Sequence, residues 1–397
     1  MKIAVLSIYP FPNGMAATNR IAAYSKGLVE NGAEVEVITI HPIEPPFNGS
    51  SSEKLPDHGE YNGIKYVHPS GRYRNKNKIL RAIALFTKFR FWRGVISVAK
   101  ILKSESFDAV IMSFDEPFQL FIYSKLIKHY NSKSIFIFDE YPIPIRHYGK
   151  SHIPLIKKLK YKFVLRGIDG YISINDKLIE YYNSLCCKPV IKISVIIDLN
   201  RFKNKSVSRM PVLSYVGNLD FEKDNVLNVV NAFNLIHHEF ANLKFDIWGE
   251  ISNNDKQKLD ILISQYGLNE KIKLKGRVDN DKVNDILTKS LILVSSQCDN
   301  MRTKGGLSTK IGEYICSGTP TIICNIGENN KYFSNKDCYF VNPDNPQEYA
   351  NMISYIINHY EDALKIARHG QNTIITNYSS DSAGRKIIKF INNLTNE

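Results

Sequence analysis

No run of eighteen apolar residues occurs anywhere in the chain, which excludes a conventional membrane-spanning helix. The opening MKIAVLSIYPFPNG carries one lysine and an apolar run that proline breaks. It lacks the apolar length and small-residue cleavage site of a signal peptide, so a cytoplasmic protein is expected. Cysteine is scarce, and Cys186, Cys187, Cys298, Cys316, Cys324 and Cys338 form no CxxC spacing. That argues against a metal knuckle or disulfide framework and for free, mostly buried thiols. No metal and no cofactor are expected.

Acid is missing from two long stretches. Residues 71–103 hold ten Lys/Arg and residues 141–168 hold seven, with no Asp or Glu in either. Elsewhere 35 basic residues are outnumbered by 39 acidic ones, so the formal charge of +13 is a local feature of the first half. Localised positive charge points to an anionic surface or polyanion as partner.

What is present is an alternation of apolar β-rich runs and helical segments. KIAVLSIYP, EVEVITI, FDAVIMSF, SIFIFDE and DGYISIN are followed by helical or loop stretches. The pattern restarts at VLSYVGNLD and continues through KFDIWGE, IKLKGRV, LILVSSQ, TPTIICN and CYFVN. Near-continuous apolar runs separated by helices predict parallel sheets covered on both faces. The 397 residues suit two such α/β domains of roughly 200 residues each. The expected division is 1–205, 206–375 and a C-terminal helix over 376–397 that packs back towards the N-terminal domain.

KGGLSTKIGEYICSGTP, Lys304–Pro320, carries the most chemistry. In an open α/β domain ligands bind beyond the carboxyl ends of the strands, and this loop follows LILVSSQ. Gly305 and Gly306 allow close backbone approach, Ser308 or Thr309 stands at an N-cap, and a helix follows from about Lys310 to Ser317. Free N–H groups and the helix dipole favour an anion there, and Lys310 adds a cation. Glu313, one turn on, can accept two hydrogen bonds from a vicinal diol such as a ribose. The layout suits a nucleoside diphosphate. The plainer alternative is a capped surface helix with a Lys310–Glu313 ion pair.

GLSTKIGEYICSGTPTI resembles the donor-binding segment of family 4 glycosyltransferases, the retaining group 1 nucleotide-sugar enzymes with the GT-B fold. YVGNLDFEKDN is similar to that family's first C-domain strand and phosphate loop, and IWGE and IKLKGRV to its glycine-containing strand end and nucleoside loop. ISVIIDLNRF resembles its interdomain signature, and YPFPNGMAATNR its N-terminal glycine loop. The resemblance is closest over 210–345 and extends to 1–40 and 165–202. It implies two Rossmann-like doubly wound parallel-sheet domains facing across a cleft. It implies that Glu313 binds the donor ribose, that backbone N–H groups of Leu307, Ser308 and Thr309 hold the diphosphate, and that Lys223 neutralises it beside Lys310. Gly217 and Asn218 stand in the phosphate loop. Arg277 and Val278 would line the base, and Gly14 would admit the sugar phosphate.

Three positions depart from the family pattern. Gly305 replaces a second glutamate, Asn218 replaces an arginine, and the N-terminal double glycine is reduced to Asn13-Gly14. Arg20 or Lys304 is then expected to help neutralise phosphate. SFDEPF and FDEYP place Glu116 and Glu140 just past N-domain strands, as catalytic groups or as helix caps. The family reaction needs no strong base, because the leaving phosphate can take the acceptor's proton. The resulting expectation is a hexosyltransferase moving a sugar from a nucleotide-sugar donor to a saccharide or lipid-linked saccharide acceptor, in capsule, O-antigen or exopolysaccharide synthesis. A nucleotide-sugar epimerase of the same fold would turn over without acceptor. A nucleic-acid-binding protein would use the charge and leave the diphosphate constellation unexplained, so nucleic acid is not expected as a partner.

Lys78–Lys103 reads as one amphipathic helix. Leu80, Ile83, Phe91, Val98, Ile101 and Leu102 share a core-facing side. Leu85, Phe86, Phe89, Trp92 and Ile96 fall among the cations of the other side, with a break at Gly94 as the alternative. Such a face suits an anionic membrane, and IKKLKYKFVLR can widen it. A peripheral protein on the inner face of the cytoplasmic membrane is expected.

Overall fold

The computed structural model describes residues 1–14, 16–46, 55–142, 145, 155–202 and 208–396. The chain divides into two units, one comprising Met1–Ile196 with Ser380–Glu397, the other Ile197–Ser379. The boundary expected at residue 205 lies outside the described residues.

The first unit holds β1 (Lys2–Ser7), β2 (Glu34–Thr39), β3 (His58–Tyr61), β4 (Ile64–Val67), β5 (Ala109–Ser113), β6 (Lys133–Phe138), β7 (Gly170–Ser173) and β8 (Val190–Lys192). They form one sheet in the order β3-β4-β2-β1-β5-β6-β7-β8. Only the β3–β4 pair is antiparallel among the described residues. β1, β5 and β6 are almost wholly buried, as apolar strands covered on both faces must be. The helices are α1 (Ala16–Glu30), α2 (Lys78–Phe86), α3 (Phe89–Ser104), α4 (Pro117–His129), α5 (Leu155–Leu165) and α6 (Asp176–Leu185). The hairpin β3–β4 turns on Asn62 and Gly63, both at positive φ (52° and 77°), the geometry a two-residue hairpin turn requires.

The second unit holds β9 (Val212–Val216), β10 (Lys244–Trp248), β11 (Ile272–Gly276), β12 (Ile292–Val294), β13 (Thr321–Cys324) and β14 (Tyr339–Val341). All pair in parallel in the order β11-β10-β9-β12-β13-β14. The six strand-like runs of the second half of the sequence are these six strands. Its helices are α7 (Val226–Ile236), α8 (Asn253–Gln265), α9 (Asn280–Lys289), α10 (Met301–Lys304), α11 (Thr309–Cys316), α12 (Asn329–Tyr332), α13 (Pro346–Asn358) and α14 (Tyr360–Asn377). α15 (Ser380–Asn396) belongs to the first unit, where it packs on α1. That crossing is backbone on backbone: a Cβ placed on Gly384 would lie 2.0 Å from the Gly27 carbonyl oxygen.

Lys78–Lys103 is not one helix. α2 ends where Thr87 Oγ1 donates back to the Ile83 carbonyl (2.8 Å), and Lys88 then takes a left-handed conformation (φ 54°) before α3 begins. Leu80 and Ile83, expected on a core face, are exposed, whereas Phe91, Val98 and Leu102 are buried as expected. Gly94 does not break α3; it lies buried against the Ile40 carbonyl. The side chains of Leu85 and Phe86 lie outside the described residues.

Candidate active site

Within the second unit, chain order reverses between β9 and β12, so the crevice past their carboxyl ends is a topological switch point, where open α/β sheets bind ligands. The loops after these two strands interlock there. Asn225 N donates to the Ser296 carbonyl (2.6 Å) and Cys298 N to the Lys223 carbonyl (3.1 Å). Asn300 Nδ2 donates to the Glu222 carbonyl (2.6 Å), and Arg302 Nη1 to Asp220 Oδ2 (2.7 Å). Next door, Gly249 presses on β9 so closely that a Cβ would sit 1.8 Å from the Gly217 oxygen, at φ 151°. This corner is built from bare backbone.

α11 is docked on the end of β9 by two side chains. The Tyr314 hydroxyl donates to the Val216 carbonyl (2.8 Å) and accepts from Val216 N (2.6 Å). Lys310 runs inward past Gly217, where its Nζ meets Asp224 Oδ1 (2.8 Å), donates to the Tyr215 hydroxyl (2.6 Å) and lies 4.3 Å from the Tyr215 ring centroid. Burial lowers the Lys310 pKa against the pull of Asp224, and the nearby Lys223 charge lowers it further. The same burial holds the Tyr215 phenol well above its usual range.

Ser308 is the N-cap of α11, but its side chain caps nothing. The Ile311 N–H donates to the Ser308 carbonyl (3.2 Å), and no side-chain cap meets the positive dipole end at this helix start. Glu313 stands one turn along, half-buried. No Lys310–Glu313 pair forms. Arg201 Nη1 donates instead to Glu313 Oε1 at 2.7 Å.

The other expected donor contacts fall around this crevice. Asn218 is exposed past β9, its carbonyl accepting from the Tyr215 hydroxyl (2.9 Å). Lys223 is half-buried in the same loop. Lys304 pairs with Asp299 (2.5 Å). Leu307 and Thr309 are half-buried beside Ser308. Arg277 is exposed and pairs with Glu250 (3.0 Å), and the half-buried Val278 follows it past β11.

Gly14, Arg20, Glu116 and Glu140 lie on the first unit. There β1 and β5 flank the corresponding reversal of strand order. Gly14 precedes α1, where Thr18 Oγ1 donates to the Pro10 carbonyl (2.7 Å). Arg20, expected to assist with phosphate, is buried. Its guanidinium donates to the Tyr24 hydroxyl (2.8 Å) and to the Ile193 (2.8 Å) and Ser194 (3.3 Å) carbonyls, and pairs with Asp139 (3.2 Å). It therefore ties β6 and the end of β8 to α1 and is not a free cation. Glu116 is the N-cap of α4, accepting from Gln119 N (2.7 Å), which is the capping alternative. Glu140 is half-buried past β6. Its neighbour Asp139, unforeseen from sequence, has its carboxyl pushed up by burial against the pull of Arg20, with the Glu140 charge adding to the rise.

Arg201, Asp220, Asp224, Arg302 and Tyr314 were also unforeseen as site residues. Arg201, Asp224 and Tyr314 stand inside the segments DLNRF, FEKDN and GEYICS, but no local spacing joins them to Glu313, Lys310 or β9.

Two units on open, doubly wound parallel sheets make this a protein of the GT-B class, and solved structures agree. Sucrose-phosphate synthase from Thermosynechococcus elongatus superposes with a TM-score of 0.73 at 13% identity, over 100% of this chain and 99% of that one. A glycosyltransferase from Rickettsia africae does so with 0.71 at 18% identity, over 99% and 98%. HepE of Anabaena, solved with UDP-glucose, does so with 0.68 at 13% identity, over 99% and 100%. Residues 196–373 match the family described as "Glycosyl transferases group 1", so the second unit is a group 1 glycosyltransferase domain and the chain is a glycosyltransferase. No curated protein matches the sequence significantly.

Proposed function

We propose that the chain is a retaining, family 4 enzyme of the hexosyltransferase type. It moves a sugar from a nucleoside-diphosphate donor to a hydroxyl of a lipid-linked saccharide in bacterial surface polysaccharide synthesis, capsule or O-antigen among them. It works on the inner face of the cytoplasmic membrane without a metal. One observation carries the donor reading: Glu313 stands half-buried one turn into α11, whose start is uncapped at the switch point of the second sheet. The diphosphate lies at that helix start, with Leu307, Ser308 and Thr309 donating and Lys223 balancing charge. The ribose diol lies on Glu313. Gly217, Asn218, Arg277, Val278 and Lys304 line the remainder of the donor.

In this reading the leaving phosphate accepts the acceptor's proton, so the enzyme's main work is to hold the diphosphate and stabilise its developing charge. Arg20 supports the first-unit scaffold. Of the two acidic candidates, Glu140 is preferred over Glu116, whose carboxylate already caps α4.

The test is thermal shift with UDP-, GDP- and ADP-sugars, beginning with UDP-glucose, the ligand of the HepE structure. A donor at a hundred times its dissociation constant adds about 2.7 kcal/mol of stability. Stabilisation by none of them overturns the donor reading. An anomeric configuration in the product opposite to that of the donor overturns retention. Turnover of donor without any acceptor favours epimerase chemistry.

A further inference from the structure

The four helices α2, α3, α4 and α5 contain no aspartate or glutamate. They are neighbours in the first unit: α2 packs beside α3, α3 beside α4, and α4 beside α5. The acid-free stretches, separated in sequence, thus meet on one layer with α4 between them. Aromatic rings join across the seams. Trp92 of α3 meets Phe118 of α4 at 6.4 Å between centroids, and Phe121 of α4 meets Phe163 of α5 at 5.6 Å. Lys88 Nζ lies 5.1 Å above the Phe118 ring.

This layer buries Phe91, Leu102, Leu120 and Ile127 but leaves other large apolar side chains in solvent. Phe89, Ile96, Leu155 and Phe163 are 60%, 57%, 71% and 61% exposed. Exposed cations stand among them, Arg93 and Lys100 on α3 and Lys158, Lys160 and Lys162 on α5. A merely solvated basic face needs no such apolar groups, and contiguous exposed apolar surface marks an interaction site.

We infer that the α2–α5 layer is a docking surface for an anionic lipid bilayer, entered by Phe89, Trp92, Ile96, Leu155, Ile156 and Phe163 while the lysines and arginines remain at the headgroups. The absence of acid over four helices fits a surface of one negative sign, and the interleaved aliphatic and aromatic groups fit the headgroup–acyl boundary. A nucleic acid would use the cations and stack on the aromatics, but it offers no partner for exposed Ile96, Leu155 and Ile156. The inference rests on the reading of a lipid-linked acceptor and assigns that reading a surface.

The experiment is co-sedimentation of the full chain with phosphatidylglycerol-containing and pure phosphatidylcholine vesicles, at low and high salt. It is paired with Trp92 emission in a Trp248→Phe background. Binding is expected only to the anionic vesicles, falling at least about tenfold in high salt, with a blue shift of Trp92. Lys158→Glu/Lys160→Glu/Lys162→Glu, a change confined to exposed residues, is expected to weaken binding at least about tenfold. Phe89→Ser/Ile96→Ser is expected to abolish the salt-resistant part. Equal binding to neutral vesicles, no binding to either, or wild-type behaviour of both variants overturns the inference. So does displacement from anionic vesicles by a DNA oligonucleotide at equal charge, or burial of the face in a dimer seen by light scattering that ignores vesicles. Stabilisation by the UDP-, GDP- and ADP-sugars is measured on the same samples. Donor binding without vesicle binding sinks the surface alone, and vesicle binding without any donor stabilisation sinks the transferase site alone.

Discussion

The Arg201 guanidinium lies 2.7 Å from the Glu313 carboxylate, although the two stand 112 positions apart in the chain. Both side chains are shielded, at 29% and 18% exposure, so the pair holds the carboxylate in one orientation at little cost from solvent screening. A ribose diol would meet an acceptor already aimed. Glu313→Ala is expected to raise the dissociation constant for the nucleoside diphosphate of whichever sugar the donor screen selects at least about tenfold, the loss of a charge-assisted hydrogen bond. Arg201→Ala is expected to cost less, and to cost nothing further in the Glu313→Ala background, because it acts through that carboxylate. Calorimetric titration of that nucleotide into the four proteins checks this. Additive losses mean that Arg201 touches the donor itself.

Lys310 and Asp224 form a buried pair, so removing the lysine strands a buried carboxylate. Lys310→Ala is expected to destabilise the fold by about 3–5 kcal/mol, and Lys310→Met/Asp224→Leu to recover most of that. Denaturant melts measure both. Affinity of the recovered double variant for the same nucleotide then separates two roles for Lys310. If it is retained, Lys310 is a strut beneath the helix start and Lys223 carries the charge balance. Lys223→Ala is then expected to lower affinity for that nucleotide at least about tenfold without loss of stability.

Strands β1, β2, β5, β6 and β7 of the first sheet and all six of the second were legible because apolar runs bounded by turns read the same in sequence and in space, whereas β8, three residues long and nowhere fully buried, was not. The β3–β4 hairpin was missed, although Asn62-Gly63 is a strong short-range hairpin signal. Its first strand, His58–Tyr61, is exposed throughout and so shows no apolar run. The break at Lys88 was illegible for another reason. Lysine has no preference for the left-handed conformation it adopts there, and the apolar spacing continues across it. At the site, Glu313, Lys310 and the helix start were legible because they share one short segment. Their partners Arg201 and Asp224 were not, since ion pairs that span 112 and 86 residues leave no periodic trace.

The Gly27–Gly384 crossing should tolerate no side chain. A Cβ on Gly27 would fall 1.9 Å from the Ser380 carbonyl oxygen, and one on Gly384 2.0 Å from that of Gly27. Neither neighbour is a flexible side chain, so α15 must shift off α1 to make room. Gly384→Ala is expected to destabilise the first unit by about 2–4 kcal/mol, even though alanine is the better helix former. Thermal melting of the variant checks this. An unchanged or raised melting temperature would show that α15 is free to move.

Acid should weaken the first unit through His68, which is buried, and His41, which is half-buried. His68 is buried with its Nε2 2.9 Å from the Phe11 carbonyl and 3.0 Å from Arg72. Burial lowers its pKa from the ordinary value near 6.5. The Arg72 charge adds to the lowering, and the Phe11 carbonyl and Asp57 oppose it. His41 is lowered in the same way, by burial and then by Arg90. With the folded pKa below the unfolded one, the unfolded chain takes up protons first as pH falls. Stability is therefore full above about pH 6.5 and is lost as the pH drops from there towards the folded pKa values. The melting temperature is expected to fall between pH 7.5 and 5.0. His68→Asn is expected to be less stable at pH 7.5, by about 1 kcal/mol for the lost contact, and to show a shallower decline on acidification. Parallel declines in the two proteins would place the acid sensitivity elsewhere.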